Sequence, residues 1–179
     1  GGATIGGGSN NTAGGGSGTI GGGVGNNASA GSTTVAGGQL NIASGAVATV
    51  GGGQANHATG DWSPVGGGQG NTASGTNRTV VGGVGNSATA DGSTVGGGDS
   101  NIASGVFSFA AGRLARTQTA AGAPHHGAFG WADNSSYVFN TSTHREFAAR
   151  ATGGVRFVTA IDLGGNATRT VAIDTDGAL

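Results

Sequence analysis

The side chains that suit a metal ion are few in this sequence. His125, His126, Asp133 and His144 offer the imidazole and carboxylate groups that zinc prefers. Adjacent histidines on a strand cannot easily converge on one ion, and no H-x-H or H-E-x-x-H spacing is present. We therefore predict no metal site and interpret these histidines as solvated loop residues.

Catalytic and cofactor motifs are equally poorly supported. Serine and threonine abound, but there is no G-x-S-x-G elbow and no His-Asp pair around a nucleophile. Glycine triplets recur without a following G-K-[ST], so they are not phosphate loops. Asp61, Asp91 and Asp99 have carboxylates that could bind calcium, but their positions along the sequence do not bring the three together. We predict no catalytic residues, no enzymatic activity and no cofactor.

Composition excludes several classes of protein. Glycine accounts for 43 of 179 residues and charged residues for 8%, which rules out an ordinary compact core. Two prolines without a three-residue glycine period exclude collagen, and a net charge of -1 leaves no footprint for nucleic acid. No apolar run approaches the ~20 residues of a membrane span. Because the chain opens on Gly1 without a signal peptide, we expect a mature product or an excised fragment.

An internal repeat organises the first part of the chain. An apolar anchor recurs at every fifteenth position without a gap, and Asn and Ala follow it at fixed distances in a unit T-V-G-G-G-x-x-N-x-A-S-G-x-x-x. The anchors are Ile5, Ile20, Val35, Val50, Val65, Val80 and Val95. The asparagines are Asn11, Asn26, Asn41, Asn56, Asn71, Asn86 and Asn101. The alanines are Ala13, Ala28, Ala43, Ala58, Ala73, Ala88 and Ala103.

The repeat predicts an all-β fold. Helices are disfavoured, because each glycine in a helix interior costs roughly 1 kcal/mol relative to alanine. Short strands joined by glycine turns suit the pattern, so we predict a parallel β-solenoid over residues 1 to 115 with one coil per repeat. Anchors and alanines then face inward as core, and the asparagines form a structural ladder that bonds neighbouring coils and turn backbone.

The predicted core is thin. One Val or Ile and one Ala per coil contribute about 2 to 4 kcal/mol, whereas ordering the coil costs on the order of 15 kcal/mol. The side-chain-free glycine face would let neighbouring chains approach closely. We therefore expect an obligate oligomer.

The repeats and the segment 108–115 (S-F-A-A-G-R-L-A) resemble the head repeats of trimeric autotransporter adhesins, whose consensus is S-V-A-I-G-x-x-A-x-A. The resemblance covers roughly residues 1 to 118 and places Phe109 at the anchor position, one position earlier than the repeat interval after Val95 requires. It implies a left-handed parallel β-roll in each of three intertwined subunits, at the cell surface or outside the cell.

Residue types change beyond residue 118. Residues 1 to 109 hold four charged side chains and residues 110 to 179 hold the other eleven. We predict a solenoid head over residues 1–118 and a small β-rich connector or prism-like module over residues 119–179. Segments 127–133 and 146–155 are similar to the region before the endosialidase-type intramolecular chaperone of phage tail fibres and bacterial surface fibres, which are also trimers.

Two functions fit these features. The first is a trimeric surface fibre or adhesin head, a homotrimer that associates end to end or laterally, with an unidentified host or matrix ligand. Trp62 is then a possible surface contact, although covering the coil edge against solvent is the favoured explanation of this residue. The alternative is ice binding through the threonine ladder of Thr19, Thr34, Thr49, Thr79 and Thr94, because the x-x-N-x-A-x-G unit is also similar to the loops of grass antifreeze proteins. The ladder is one threonine wide and is interrupted at Pro64 and Phe109, which favours the fibre.

Overall fold

The computed structural model describes residues 2–161 and 167–173, and within them the protein is all-β with no helix. In chain order the strands are β1 Thr4–Ile5, β2 Thr12–Ala13, β3 Thr19–Ile20, β4 Asn27–Ala28, β5 Thr34–Val35, β6 Ile42–Ala43, β7 Thr49–Val50, β8 His57–Ala58, β9 Pro64–Val65, β10 Thr72–Ala73, β11 Thr79–Val80, β12 Ser87–Ala88, β13 Thr94–Asp99, β14 Ile102–Ala103, β15 Phe109–Arg113, β16 Ala115–Arg116, β17 Phe129–Ala132, β18 Phe139–Asn140, β19 Phe147–Arg150, β20 Val155–Ile161 and β21 Ala167–Ile173.

Strands β1 to β19 form a parallel solenoid. The odd-numbered strands stack in chain order into a ten-stranded first sheet, and the even-numbered strands form a nine-stranded second sheet. Paired residues occupy equivalent positions of successive repeats, as in Thr34 with Thr49 and Ala28 with Ala43. The prediction of a parallel solenoid with one coil per repeat is confirmed.

Most coils bend at two corners where the backbone is left-handed. At the first corner φ lies between 54° and 67°, and at the second between 50° and 65°. The first corner comprises Asn10, Gly25, Leu40, Ala55, Gly70, Gly85, Ser100 and Leu114. The second corner comprises Ser32, Val47, Trp62, Asn77, Gly92, Phe107, Gly127 and Arg145. Glycine adopts this conformation without steric cost, so its presence in some copies identifies the bend in all of them.

The core lies between the two sheets. All anchors from Ile20 to Val95 and all repeat alanines from Ala28 to Ala103 are fully buried. Ile5, predicted for the core, is instead 45% exposed, and Ala13 is half-buried. Both belong to the first coil, which another coil covers on one side only.

The coil stack continues past residue 118. Strands β17, β18 and β19 extend both sheets, and the chain divides into two compact units between Ala148 and Ala149. Inward positions of these later coils remain small, as at Ala132 and Ala148, while Phe129 and Phe147 are partly or largely exposed. The change of composition at residue 118 therefore marks new outward side chains within the same stack.

The second compact unit is described by itself. It contains β20 and β21, which pair antiparallel, with Val155 opposite Ile173. Residues 162–166 and 174–179 of the predicted C-terminal module lie outside the described residues.

Phe109 does not occupy the anchor position. It pairs with Thr94, and the buried Ala110 pairs with the anchor Val95. The period shortens by one position after this pair, where the register between β13 and β15 shifts so that Gly98 pairs with Gly112. The β-bulge there absorbs the missing residue, and Phe109 remains on the outer surface.

Candidate functional site

The asparagine column is the most regular polar feature of the solenoid. Its members from Asn26 to Asn101 are fully buried. Nδ2 of Asn56 donates to the carbonyl of Gly52 in its own coil at 2.9 Å and to that of Gly68 in the next coil at 2.8 Å. Its Oδ1 accepts the backbone N–H of Asn71 at 3.0 Å. Each asparagine thus joins the glycine turn of one coil to the backbone of the next.

The column ends differently at its two ends. Asn11 makes the same three kinds of bond, to Gly7, Gly23 and Asn26, but is half-buried. At the other end, Asn101 Oδ1 accepts the N–H of Ala115 at 2.9 Å, and this alanine takes the asparagine position. The regular amide column therefore stops where the regular repeat stops.

The third glycine of each triplet lies against the asparagine column. Gly53 has φ +88°, and a Cβ there would lie 2.1 Å from the carbonyl oxygen of Gly68 and 2.9 Å from Asn56 Nδ2. A real Cβ does not approach other atoms so closely. Glycine is required here because φ is positive and because a side chain would collide with the carbonyl of the next coil.

The outer column of the first sheet is the best candidate for contact with other molecules. It runs along the whole stack in one register, with the aromatic members adjacent to one another. In order it comprises Thr4, Thr19, Thr34, Thr49, Pro64, Thr79, Thr94, Phe109, Phe129 and Phe147. All of these side chains are exposed or half-buried. The predicted threonine ladder is therefore one part of a longer column that becomes aromatic.

The three phenylalanines of this outer column stack on one another. Ring centroids are 4.9 Å apart between Phe109 and Phe129 and 4.8 Å apart between Phe129 and Phe147, with nearly parallel planes. Phe147 is 67% exposed. The three are unevenly spaced along the chain, so a search for the period of the repeats does not find them. A small residue directly after each Phe is the signal that marks the column.

A strip with few side chains lies beside the outer column. The residue after each inward anchor is usually glycine, as at Gly21, Gly51 and Gly66, and these positions are exposed. Val81 departs from this pattern and is 58% exposed. The strip leaves the sheet backbone accessible next to the threonines.

Trp62 lies at the second corner and is 57% exposed. Its backbone N–H donates to the carbonyl of Ala46 in the preceding coil at 2.9 Å. Phe107, three coils later at the same corner, is 77% exposed, with its ring over Gly92. Both side chains are presented to solvent from fixed backbone positions.

The three repeat aspartates do not form a shared site. Asp61 Oδ1 accepts the N–H of Ala46 at 2.7 Å, while Asp91 pairs with Arg78 at 3.0 Å. Asp99 pairs separately, with Arg113 at 3.4 Å. Burial lowers the pKa of Arg78 below its usual value, and the Asp91 carboxylate opposes part of that effect.

The histidines come together at the second corner of the late coils. The His126 and His144 rings stack with their centroids 5.1 Å apart. The His125 ring lies edge-on to His144, with a centroid distance of 5.7 Å. His125 is buried and its Nδ1 lies 2.7 Å from Thr141 Oγ1, so the interpretation as a solvated loop residue is wrong for it. In the part of the chain that the structure describes, no three His, Cys, Asp or Glu side chains are placed to hold a metal ion.

Glu146 stabilises the neighbouring turn. Its carboxylate accepts the backbone N–H groups of Ser142 and Thr143 and the Ser142 hydroxyl. The hydrogen bond from the Ser142 N–H contributes most to lowering the pKa of Glu146, and desolvation by burial opposes part of that effect.

No family model matches the chain, and no curated protein matches it significantly in sequence. Among the described residues, no helix is both long and apolar enough to cross a membrane.

Proposed function

We propose that the protein is a structural surface fibre or adhesin head that presents a rigid, repetitive surface for attachment or filament assembly outside the cell. The observation that carries this proposal is the outer column of the first sheet. It holds no charged side chain and ends in three stacked phenylalanines, one of them 67% exposed. Exposed apolar surface of this kind marks contact with another molecule.

Rigidity supports the same function. Buried amides join every pair of adjacent coils in the repeats, so side chains on the outer columns are held at the regular strand spacing of about 4.8 Å. A repetitive ligand or a second fibre can then be contacted at many equivalent points at once. Such multivalent contact gives strong attachment from individually weak interactions.

The proposed assembly is a homotrimer of left-handed coils, as the resemblance to autotransporter heads implies. Within one chain the anchors from Ile20 to Val95 are already fully buried, so association would cover the outer column and the glycine strip instead. Light scattering should give three times the 16.7 kDa chain mass. A stable folded monomer would exclude the trimer.

Attachment is tested separately from assembly. The labelled protein should bind members of a panel of immobilised matrix proteins and glycans. Trp62→Ala and Phe147→Ser should each be compared with the parent, and Thr72→Ala, on the outer face of the second sheet, serves as the matched control. Absence of binding to every member, together with absence of self-association, would overturn the proposed function.

Ice binding is the second candidate, and the in-register threonines are the observation that favours it. Thr4, Thr19, Thr34 and Thr49 pair without interruption. Thermal hysteresis that Thr34→Tyr removes and Thr72→Tyr retains would support ice binding. No hysteresis in the parent protein would eliminate it.

A further inference from the structure

In one column of the solenoid, side chains accept hydrogen bonds from backbone N–H groups of the preceding coil. The column lies directly before the second corner and includes Ala46, Asp61, Val106, His126 and His144. Asp61 Oδ1 accepts the N–H of Ala46 at 2.7 Å. His126 Nδ1 accepts the N–H of Val106 at 3.0 Å, and His144 Nδ1 accepts the N–H of His126 at 2.9 Å. One aspartate and two histidines thus play the same part in different coils.

The protonation state of the two histidines follows from their donors. A backbone N–H can only donate, so the Nδ1 atoms of His126 and His144 must be unprotonated while these bonds exist. A protonated imidazole carries hydrogen on both nitrogens and cannot accept. Each bond therefore exists only while its ring is neutral.

Protonation would bring several positive charges together at this corner. Two charged rings would lie 5.1 Å apart, with His125 edge-on to one of them and Arg145 directly following His144 in the chain. Glu146, two residues after His144, has its carboxylate oxygens already bound to the Ser142 and Thr143 turn.

The other carboxylate of this column is committed elsewhere. Asp91 lies in the coil before Val106 and pairs with Arg78 at 3.0 Å. Charge on the rings would therefore be only partly balanced by the groups around them.

We propose that His126 and His144 form a pH-sensitive latch, which closes the second corner of the late coils at neutral pH and opens that corner in acid while the strands of β15 and β17 stay paired. The latch concerns hydrogen bonds at the second corner of the late coils, and it does not depend on the proposed attachment function. The ordinary charge change of histidine falls between about pH 5 and 8, so this is the range over which opening is to be measured. The Asp61 bond is the comparison, because its acceptor is a carboxylate, and a carboxylate ordinarily changes charge near pH 4, below that range.

Amide hydrogen exchange of the full chain tests the latch. Between about pH 8 and pH 5, protection of the Val106 and His126 amides should fall about tenfold, after correction for intrinsic exchange. The Ala46 amide, bound to Asp61, is the internal control and should keep its protection. Equal pH dependence at Val106, His126 and Ala46 would overturn the proposal.

A variant separates the latch from general acid sensitivity. In the double variant His126→Asn and His144→Asn, amide oxygens replace the imidazole acceptors and do not titrate in this range. Protection at Val106 should then become independent of pH, while His57→Asn, on the outer face of the second sheet, leaves the pH dependence of the parent unchanged. Persistence of the original pH dependence in the double variant would overturn the latch. The measurement on the parent protein remains decisive if the variant folds poorly.

Discussion

At the scale of single residues, asparagine makes hydrogen bonds that strand pairing cannot supply. The strands of each coil are two residues long over most of the repeat, so much of the coil backbone lies in turns. Each buried amide satisfies two turn carbonyls and one N–H, as Asn56 does for Gly52, Gly68 and Asn71. An alanine at this position would fill part of the space but leave the Gly52 carbonyl and the Asn71 N–H without these hydrogen bonds.

Replacement of Asn56 should therefore be costly. Asn56→Ala leaves the buried Asn71 N–H and the half-buried Gly52 carbonyl without these partners, at about 1–3 kcal/mol for each group that water cannot reach, whereas the Gly68 carbonyl keeps the Gln54 N–H. Asn56→Asp should be worse, because a carboxylate cannot donate to two carbonyls and loses its solvation. Thermal melting is the measurement. Asn11→Ala is the matched control and should cost less, since Asn11 lies half-buried in the first coil. A shift of only a degree or two for Asn56→Ala would contradict this role.

The third glycine of a triplet makes an equally specific prediction. Gly53→Ala forces alanine to adopt φ +88°, at about 1–2 kcal/mol, and sets its Cβ against the Gly68 carbonyl. We expect a loss of roughly 2 kcal/mol or more in urea-induced unfolding. At Gly31 a Cβ would meet nothing within 4 Å, so Gly31→Ala should change stability by no more than about 0.5 kcal/mol. Equal effects of the two substitutions would exclude this steric explanation.

At the scale of elements, the outer column of the first sheet changes its chemistry along the stack. Thr94 pairs with Phe109 in register. The first sheet therefore continues without interruption, while its outward side chain changes from threonine to phenylalanine. The inward neighbours change in the opposite sense, from Val95 to Ala110 and Gly130. Stacked rings on the outside thus accompany a smaller core on the inside, and we infer that they compensate for the lost core volume.

The stack should contribute measurably to the late coils. Phe129→Ala removes two ring contacts, worth roughly 1–3 kcal/mol together. The corner residue Phe107 is 77% exposed, so Phe107→Ala should change stability much less. Urea-induced unfolding of both variants provides the comparison. If Phe107→Ala proves as destabilising as Phe129→Ala, the rings do not compensate for the smaller core.

At the scale of the whole molecule, stability is a sum over neighbouring coils. Each repeat coil contacts the coil before it and the coil after it through the same pairs of positions, as in other repeat proteins. Removal of one complete repeat should therefore leave every remaining coil with equivalent partners.

Deletion of residues 51–65 tests this property. Val50 would then be followed by Gly66, which restores the sequence of a repeat and makes the threonines of the outer column continuous. We expect a folded solenoid whose melting temperature falls by a few degrees. Deletion of residues 51–58 removes about half a repeat and should disrupt the stack, because the asparagine and glycine positions are lost from one coil. Circular dichroism and melting of both deletions measure the difference. Similar behaviour of the two would contradict a register fixed by the repeat.

The repeat by itself determined the coil length, the parallel stacking and the inward positions. Because the period has no gap, equivalent residues of successive coils lie one above another, and the period can be read from the sequence alone. Ile5 lay outside this reasoning, because burial also depends on whether a second coil covers the first.

Only the tertiary structure decided what happens after the period ends. The aromatic column continues the threonine column although Phe109, Phe129 and Phe147 are spaced irregularly, because loops of different length return the chain to the same register. The pairing of His126 with Val106 likewise depends on a loop that brings residues 20 positions apart into adjacent coils. Hydrogen-bond register between coils, not distance along the chain, decides which side chains meet.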